Sequence, residues 1–189
     1  MTKLRGLLFI MPILLILLSC STDPPVEKRI APFTFTNQHG KPFGSEDLAG
    51  QIWIAQFLFT SCQTVCPKMA TEMVALQERL AEEGIEATFV SFTVDPEIDT
   101  PDVLKQYMAN FTDKDNQWYM LTGYTQTEIE IFAREQFQTI VQKPSSSNQV
   151  LHGTNFYLID QEGYIRNEYH YIDQNYMDDL VRDIKKIQK

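Results

Sequence analysis

Ile52-Trp53-Ile54-Ala55-Gln56-Phe57-Leu58-Phe59 runs straight into Thr60-Ser61-Cys62-Gln63-Thr64-Val65-Cys66-Pro67. An apolar run broken only by Gln56 predicts a strand buried on both faces, since a half-exposed strand would alternate. Past it, Val65, Met69, Met73, Leu76 and Leu80 recur at steps of four, four, three and four. That spacing is one face of a helix. Gly84 stops the helix, and Ala87 to Val94 reads as a second buried strand. A strand, a crossover helix and a strand make a parallel pair. The two cysteines therefore stand where the first strand hands over to the helix.

Toward the N-terminus, Phe33 to Thr36 alternates, Asn37-Gln38-His39-Gly40 supplies turn chemistry, and Lys41-Pro42-Phe43 returns. A β-hairpin is expected to open the domain. Toward the C-terminus, Asp99-Thr100-Pro101 starts a helix with Val103, Leu104, Tyr107, Met108 and Phe111 inward. Gln117 to Leu121 is a short strand, and Thr125 to Phe137 is helical through Ile129, Phe132, Ala133 and Phe137. Gln142 to Gln149, with Pro144 and Ser145 to Ser147, reads as a loop. Asn155 to Asp160 and Tyr164 to Tyr171 form a hairpin through Gln161-Glu162-Gly163. A last helix begins near Asp173, with Tyr176, Leu180, Ile184 and Ile187 inward. The order is that of a single α/β domain.

A chain of 189 residues, 43% of them hydrophobic, has room for one such domain and a short appendage. Its net charge of −9 excludes nucleic acid as a partner, because phosphate binding needs a basic surface. The appendage is the first stretch. Lys3 and Arg5 precede an apolar run from Leu7 to Leu18, shorter than the roughly 20 residues of a free-standing span. It fits a secretory signal segment. Leu17-Leu18-Ser19-Cys20 resembles the lipobox of bacterial lipoproteins, which implies cleavage after residue 19 and lipidation of Cys20. An uncleaved signal anchor is the other reading. Residues 20–29, with Pro24-Pro25, are expected to tether the domain of residues 30–189 to the extracytoplasmic face of the cell membrane.

Lipidation would account for one of three cysteines and leave Cys62 and Cys66 as a pair in an oxidising compartment. A disulfide between them would close too short a loop to add much stability. On a helix such a pair has Cβ atoms roughly 5–6 Å apart. A disulfide prefers about 3.8 Å, so the spacing is better matched to grasping an ion. The helix N-terminus favours the thiolate that a metal ligand or a nucleophile requires. Of the three histidines, His39 lies in the hairpin turn and His170 between Tyr169 and Tyr171 in a strand. His152 stands between the loop and a buried strand; spacing alone puts it only slightly ahead of His39 as a third ligand. Sulfur with imidazole suits copper, with zinc the alternative, although structural zinc normally takes four protein ligands. Met69 and Met73, at helical spacing, are expected in the core. Asp99, beside Thr100-Pro101, is expected to cap the helix or shape a turn. Asp95, at the carboxyl end of a central strand, is the candidate outer-shell group.

Three separated motifs, Phe59 to Pro67, Val94-Asp95-Pro96-Glu97-Ile98-Asp99-Thr100-Pro101, and His152 with Asn155 to Asp160, together resemble the Sco/SenC family. The resemblance spans residues 30 to 187. It implies a thioredoxin-like fold and copper, as Cu(I), Cu(II) or both, bound by Cys62, Cys66 and His152. It also implies a role in assembling the dinuclear CuA centre of cytochrome c oxidase. Subunit II of that oxidase, with its CuA domain, is then the expected partner, alongside an upstream copper donor or thiol reductant. Ile98 departs from the family, whose members often carry a polar or basic residue there, so an ion pair at that position is not expected. The same cysteines also fit a thiol–disulfide oxidoreductase acting on the CuA-site cysteines. A peroxidase reading of Thr60-Ser61-Cys62 is weakened by the second cysteine so near and by the lack of a proline before the threonine.

Overall fold

The computed structural model describes residues 28–113, 117–147 and 149–188, so the signal-like segment and Cys20 lie outside the described residues. The expected hairpin consists of β1 (Thr34–Asn37) and β2 (Pro42–Gly44). Asn37 builds its turn: Oδ1 accepts from the backbone N–H of His39 at 2.9 Å and of Lys41 at 3.1 Å. Gly40 completes it at φ +69°, a conformation that side chains resist.

β3 (Trp53–Leu58) has all six residues buried, as its unbroken apolar run requires. α1 (Cys66–Glu82) follows and buries Cys66, Met69, Ala70, Met73, Leu76 and Leu80, so both methionines are core residues. Past Gly84 the Ile85 N–H returns to the Leu80 carbonyl at 2.9 Å, ending the helix. β4 (Thr88–Thr93) then pairs in parallel with β3, Trp53 opposite Thr88. α2 (Pro101–Met108) leads to β5 (Trp118–Thr122), parallel to β4. α3 (Gln126–Phe137) begins at a capping box between Thr125 and Glu128.

The next stretch differs from expectation. The loop is bounded by two very short strands, β6 (Val141–Gln142) and β7 (Leu151–His152), which pair antiparallel with Val141 opposite His152. Two-residue strands carry no periodicity that a sequence could display. β8 (Asn155–Ile159), β9 (Ile165–His170) and α4 (Tyr176–Ile187) complete the chain.

The main sheet has the order β2-β1-β5-β4-β3-β8-β9, with β8 antiparallel to β3. On one face, Phe57 and Phe92 of the sheet meet Phe132 and Phe137 of α3, with Phe57 and Phe137 centroids 5.2 Å apart. On the other, Tyr176 of α4 stacks on Phe156 at 5.5 Å and donates its hydroxyl to Glu72 of α1 at 2.6 Å. Each large side chain fully buried in these layers contributes about 1.5–3 kcal/mol. Lys28 and Arg29, assigned from sequence to the tether, are already fixed to the domain. Arg29 bridges to Tyr164, and the Ile30 N–H donates to the Gly163 carbonyl at 2.9 Å.

Candidate metal centre

The parallel strands β3 and β4 end together, and the chain leaving β3 turns at once: the Cys62 N–H donates to the Phe59 carbonyl at 3.3 Å. Val65, which precedes α1, has no side chain that can cap. The Cys62 sulfur does so instead, accepting from the Cys66 N–H at 3.4 Å and lying 3.6 Å from the Thr64 hydroxyl. Burial would raise the Cys62 thiol, but hydrogen bonds from the backbone at Cys66 and Thr64, helped by their side chains, outweigh it and bring it below the ordinary thiol value. Cys66 goes the other way. Burial pushes its thiol far up, and the nearby Cys62 and Asp99 add to the effect. Both cysteines are free and buried.

His152 reaches this pair from the far side. The β6–β7 ladder fixes its backbone, and its ring lies edge-on to Phe59, centroids 5.6 Å apart. Nδ1 is 2.7 Å from the Gly153 carbonyl, which can only accept, so Nδ1 carries the proton. Nε2 is left with its lone pair and stands 3.4 Å from the Cys66 sulfur. Burial lowers the imidazole, with the Gly153 carbonyl partly opposing. A neutral thiol therefore donates to a neutral imidazole, already in the tautomer that ligates through Nε2.

Asp99 does not cap α2; Thr100 does, its side chain accepting from the Val103 N–H. Asp99 is fully buried instead and binds the cysteine loop to the sheet. Its carboxylate accepts from the Thr60 N–H at 3.1 Å, from the Thr60 hydroxyl at 2.5 Å and from the Thr93 hydroxyl. Burial raises its pKa above the usual carboxylate value even so, against those three hydrogen bonds. Sequence reasoning missed this role because Asp99 and Thr100 are both cap-forming types in adjacent positions. Asp95 is buried too, but its carboxylate meets Lys143 at 2.7 Å, and that ammonium also reaches Glu97 at 3.0 Å. The carboxylate tied to the cysteine loop is that of Asp99, while Asp95 holds the segment leading out of β6. Ile98 is 54% exposed. His39 is exposed on its turn, and His170 bonds the Thr154 hydroxyl at 2.9 Å.

Two sulfurs and a bare imidazole nitrogen form a donor set that fits copper. As placed, no three His, Cys, Asp or Glu side chains among the described residues surround a common point. The Cys62 sulfur is turned into its own loop. Holding an ion through Cys66 would require its thiol to give up its proton.

A thioredoxin-like domain with a dithiol and an imidazole at one edge of its sheet is the class defined by this fold and site. The SCO1/SenC family model matches residues 22–189, and the chain belongs to the SCO1/SenC family. A SCO1/SenC family lipoprotein from Bacillus anthracis superposes with a TM-score of 0.84 at 44% identity, covering 88% of this chain and 99% of that one. BsSco, described as a member of the Sco family of cytochrome c oxidase assembly proteins, gives a TM-score of 0.79 at 41% identity, over 87% of this chain and 96% of its own. Yeast Sco1 with copper bound gives 0.69 at 26% identity, over 84% of this chain and 89% of its own. No helix among the described residues is long and apolar enough to cross a membrane.

Proposed function

We propose that this protein is a copper-binding metallochaperone that helps assemble the CuA centre of cytochrome c oxidase, with Cys62, Cys66 and His152 as the ligands. The observation that carries the reading is the 3.4 Å approach of His152 Nε2 to the Cys66 sulfur, in the one tautomer that leaves that nitrogen free. Copper supplies the cargo and the affinity for thiolate. The chain's own residues orient the imidazole, keep water from Cys66 and hold its proton until an ion displaces it. Subunit II of the oxidase is the recipient, and Cys20, through its lipid, keeps the domain at the membrane where that recipient sits. Titrating the protein with copper and then mixing it with a purified CuA domain tests this: metal should move to the CuA domain, and retention by the donor would count against delivery.

A second reading, reduction of the CuA-site cysteines by the dithiol, is favoured by the opposite shifts of the two thiols. A lowered Cys62 beside a raised Cys66 is the asymmetry of an attacking and a resolving cysteine. In that reading Cys62 and Cys66 are catalytic. His152→Ala separates the two, since it should cost copper binding while leaving thiol–disulfide exchange largely intact.

A further inference from the structure

The ribbon that carries His152 is not part of the main sheet. β6 and β7 form a separate pair, with Val141 opposite His152 and Gln142 opposite Leu151. A hairpin that short has little stability of its own. Val141 and Val150 are buried and seat it, but apolar contact has no direction and does not by itself fix where a ligand stands. Lys143, the residue after β6, supplies the direction. Its backbone N–H donates to Glu130 of α3 at 3.1 Å, and its ammonium donates to the Asp95 carboxylate at 2.7 Å and to Glu97 at 3.0 Å. The Asp95 side chain is only 3% exposed, so this is a desolvated ion pair and not a solvated surface contact. Glu97 is exposed and adds little. The far end of the pair belongs to the segment that also grips the cysteines. The Thr93 hydroxyl accepts from the Asp95 N–H at 3.1 Å and donates to Asp99, and Asp99 holds Thr60. Both halves of the metal centre are thus set from the exit of β4, the cysteine loop by Asp99 and the His152 ribbon by Asp95 through Lys143.

We propose that Lys143 is a positioning residue of the metal centre: its ion pair with Asp95 holds the β6–β7 ribbon where His152 Nε2 meets the Cys66 sulfur. Metal–ligand distances tolerate only about 0.2 Å of error. A ribbon free to shift on its apolar seat presents the imidazole correctly in only a fraction of the molecules, and affinity falls by that fraction. Lys143 acts on the ion only through His152. The assignment rests on the reading of Cys62, Cys66 and His152 as copper ligands.

The test uses the full chain, with copper salt as the probe. Lys143→Met alone leaves Asp95 a buried charge without its counter-ion and weakens the fold on that account. The Asp95→Asn, Lys143→Met double variant removes both charges, strands neither, and is the protein to compare with wild type. Copper dissociation constants are measured in two backgrounds, with His152 present and with His152→Ala. With His152 present, the double variant should bind copper about tenfold more weakly, the lower end for loss of an outer-shell partner. In the His152→Ala background the same two substitutions should leave the constant unchanged, because the residue through which the clasp acts is gone. Hydrogen exchange of the metal-free protein gives a readout without the ion: amides of 141–152 should exchange faster in the double variant, while those of β3 and α1 keep wild-type protection. Unchanged affinity with His152 present, equal losses in both backgrounds, or unchanged exchange in the ribbon would each overturn the proposal. If wild type itself binds no copper, the copper site fails and this assignment falls with it; copper binding by wild type that the double variant matches overturns the Lys143 role alone.

Discussion

His152 Nε2 and Cys66 Sγ stand 3.4 Å apart although 86 positions of chain separate them. One partner is fixed by the β6–β7 ladder and the other by the first turn of α1. An unfolded chain brings such groups together only at the cost of closing a long loop, so an ion that needs both binds the folded state selectively.

Copper at about a hundred times its Kd should therefore stabilise the native protein by about 2.7 kcal/mol. His152→Ala should lose most of that gain. Because the imidazole lies against Phe59, the metal-free variant should also be weaker than wild type by about 1 kcal/mol. Melting curves with and without copper measure both effects. A variant stabilised by copper as strongly as wild type would move the third ligand elsewhere.

The two thiols should react at different pH. Cys62, held below the ordinary value of 9.0, should be alkylated first as pH rises through neutrality, while Cys66 stays protonated and slow. Mass spectrometry of timed alkylation reads this directly. Equal rates at both positions would remove the asymmetry on which the reductase reading depends.

In the metal-free protein, neutral His152 contributes stability that is present above its ordinary value of 6.5. Below that value the unfolded chain takes up a proton that the folded imidazole resists, so stability falls as the pH falls. His152→Ala should flatten this limb in denaturant midpoints measured across the range. An acid limb as steep as that of wild type would show that another group carries it.

Asp99→Ala should be costly whether or not metal is present. It strands the Thr60 N–H, the Thr60 hydroxyl and the Thr93 hydroxyl, and a buried donor left unpaired costs about 1–3 kcal/mol. Denaturant unfolding should show a loss of roughly 3 kcal/mol or more, within the range for breaking a buried charged network. A loss under about 1 kcal/mol would mean that solvent replaces the carboxylate easily.

Cys20→Ser should release the protein from membranes or block its processing while leaving copper affinity unchanged. Fractionation and intact mass decide it: a variant of mature mass still pelleting with membranes would rule out lipid on Cys20.

The sheet and its helices were legible in the sequence wherever a face is long enough to repeat. β3 announced itself as an apolar run, and α1 as a stripe ending at Gly84. What escaped was short or one-atom deep. β6 and β7 have two residues each, too few to show a period, yet they make His152 part of a ladder. Asp99 and Thr100 are interchangeable as cap signals, and only packing assigns the cap to Thr100 and the buried network to Asp99. Motif resemblance singled out Cys62, Cys66 and His152, and the structure brings His152 to Cys66, but the tautomer of His152 depends on the Gly153 carbonyl.

The attachment of Lys28 and Arg29 beside Tyr164 fixes where the N-terminal chain enters the domain. β8 starts near the metal centre at Asn155 and runs away from it to Ile159, where the turn that receives Arg29 begins. The N-terminal chain thus joins at one pole of the sheet, and the sulfurs lie at the other, roughly a strand length of 17–20 Å away. Anything that leashes the chain through its N-terminal segment holds the domain by its foot and turns Cys62, Cys66 and His152 outward. Under the proposed lipid attachment and metal delivery, a recipient would have to offer its own site at that height above the bilayer, and the metal would change hands in the open compartment and not at the lipid surface.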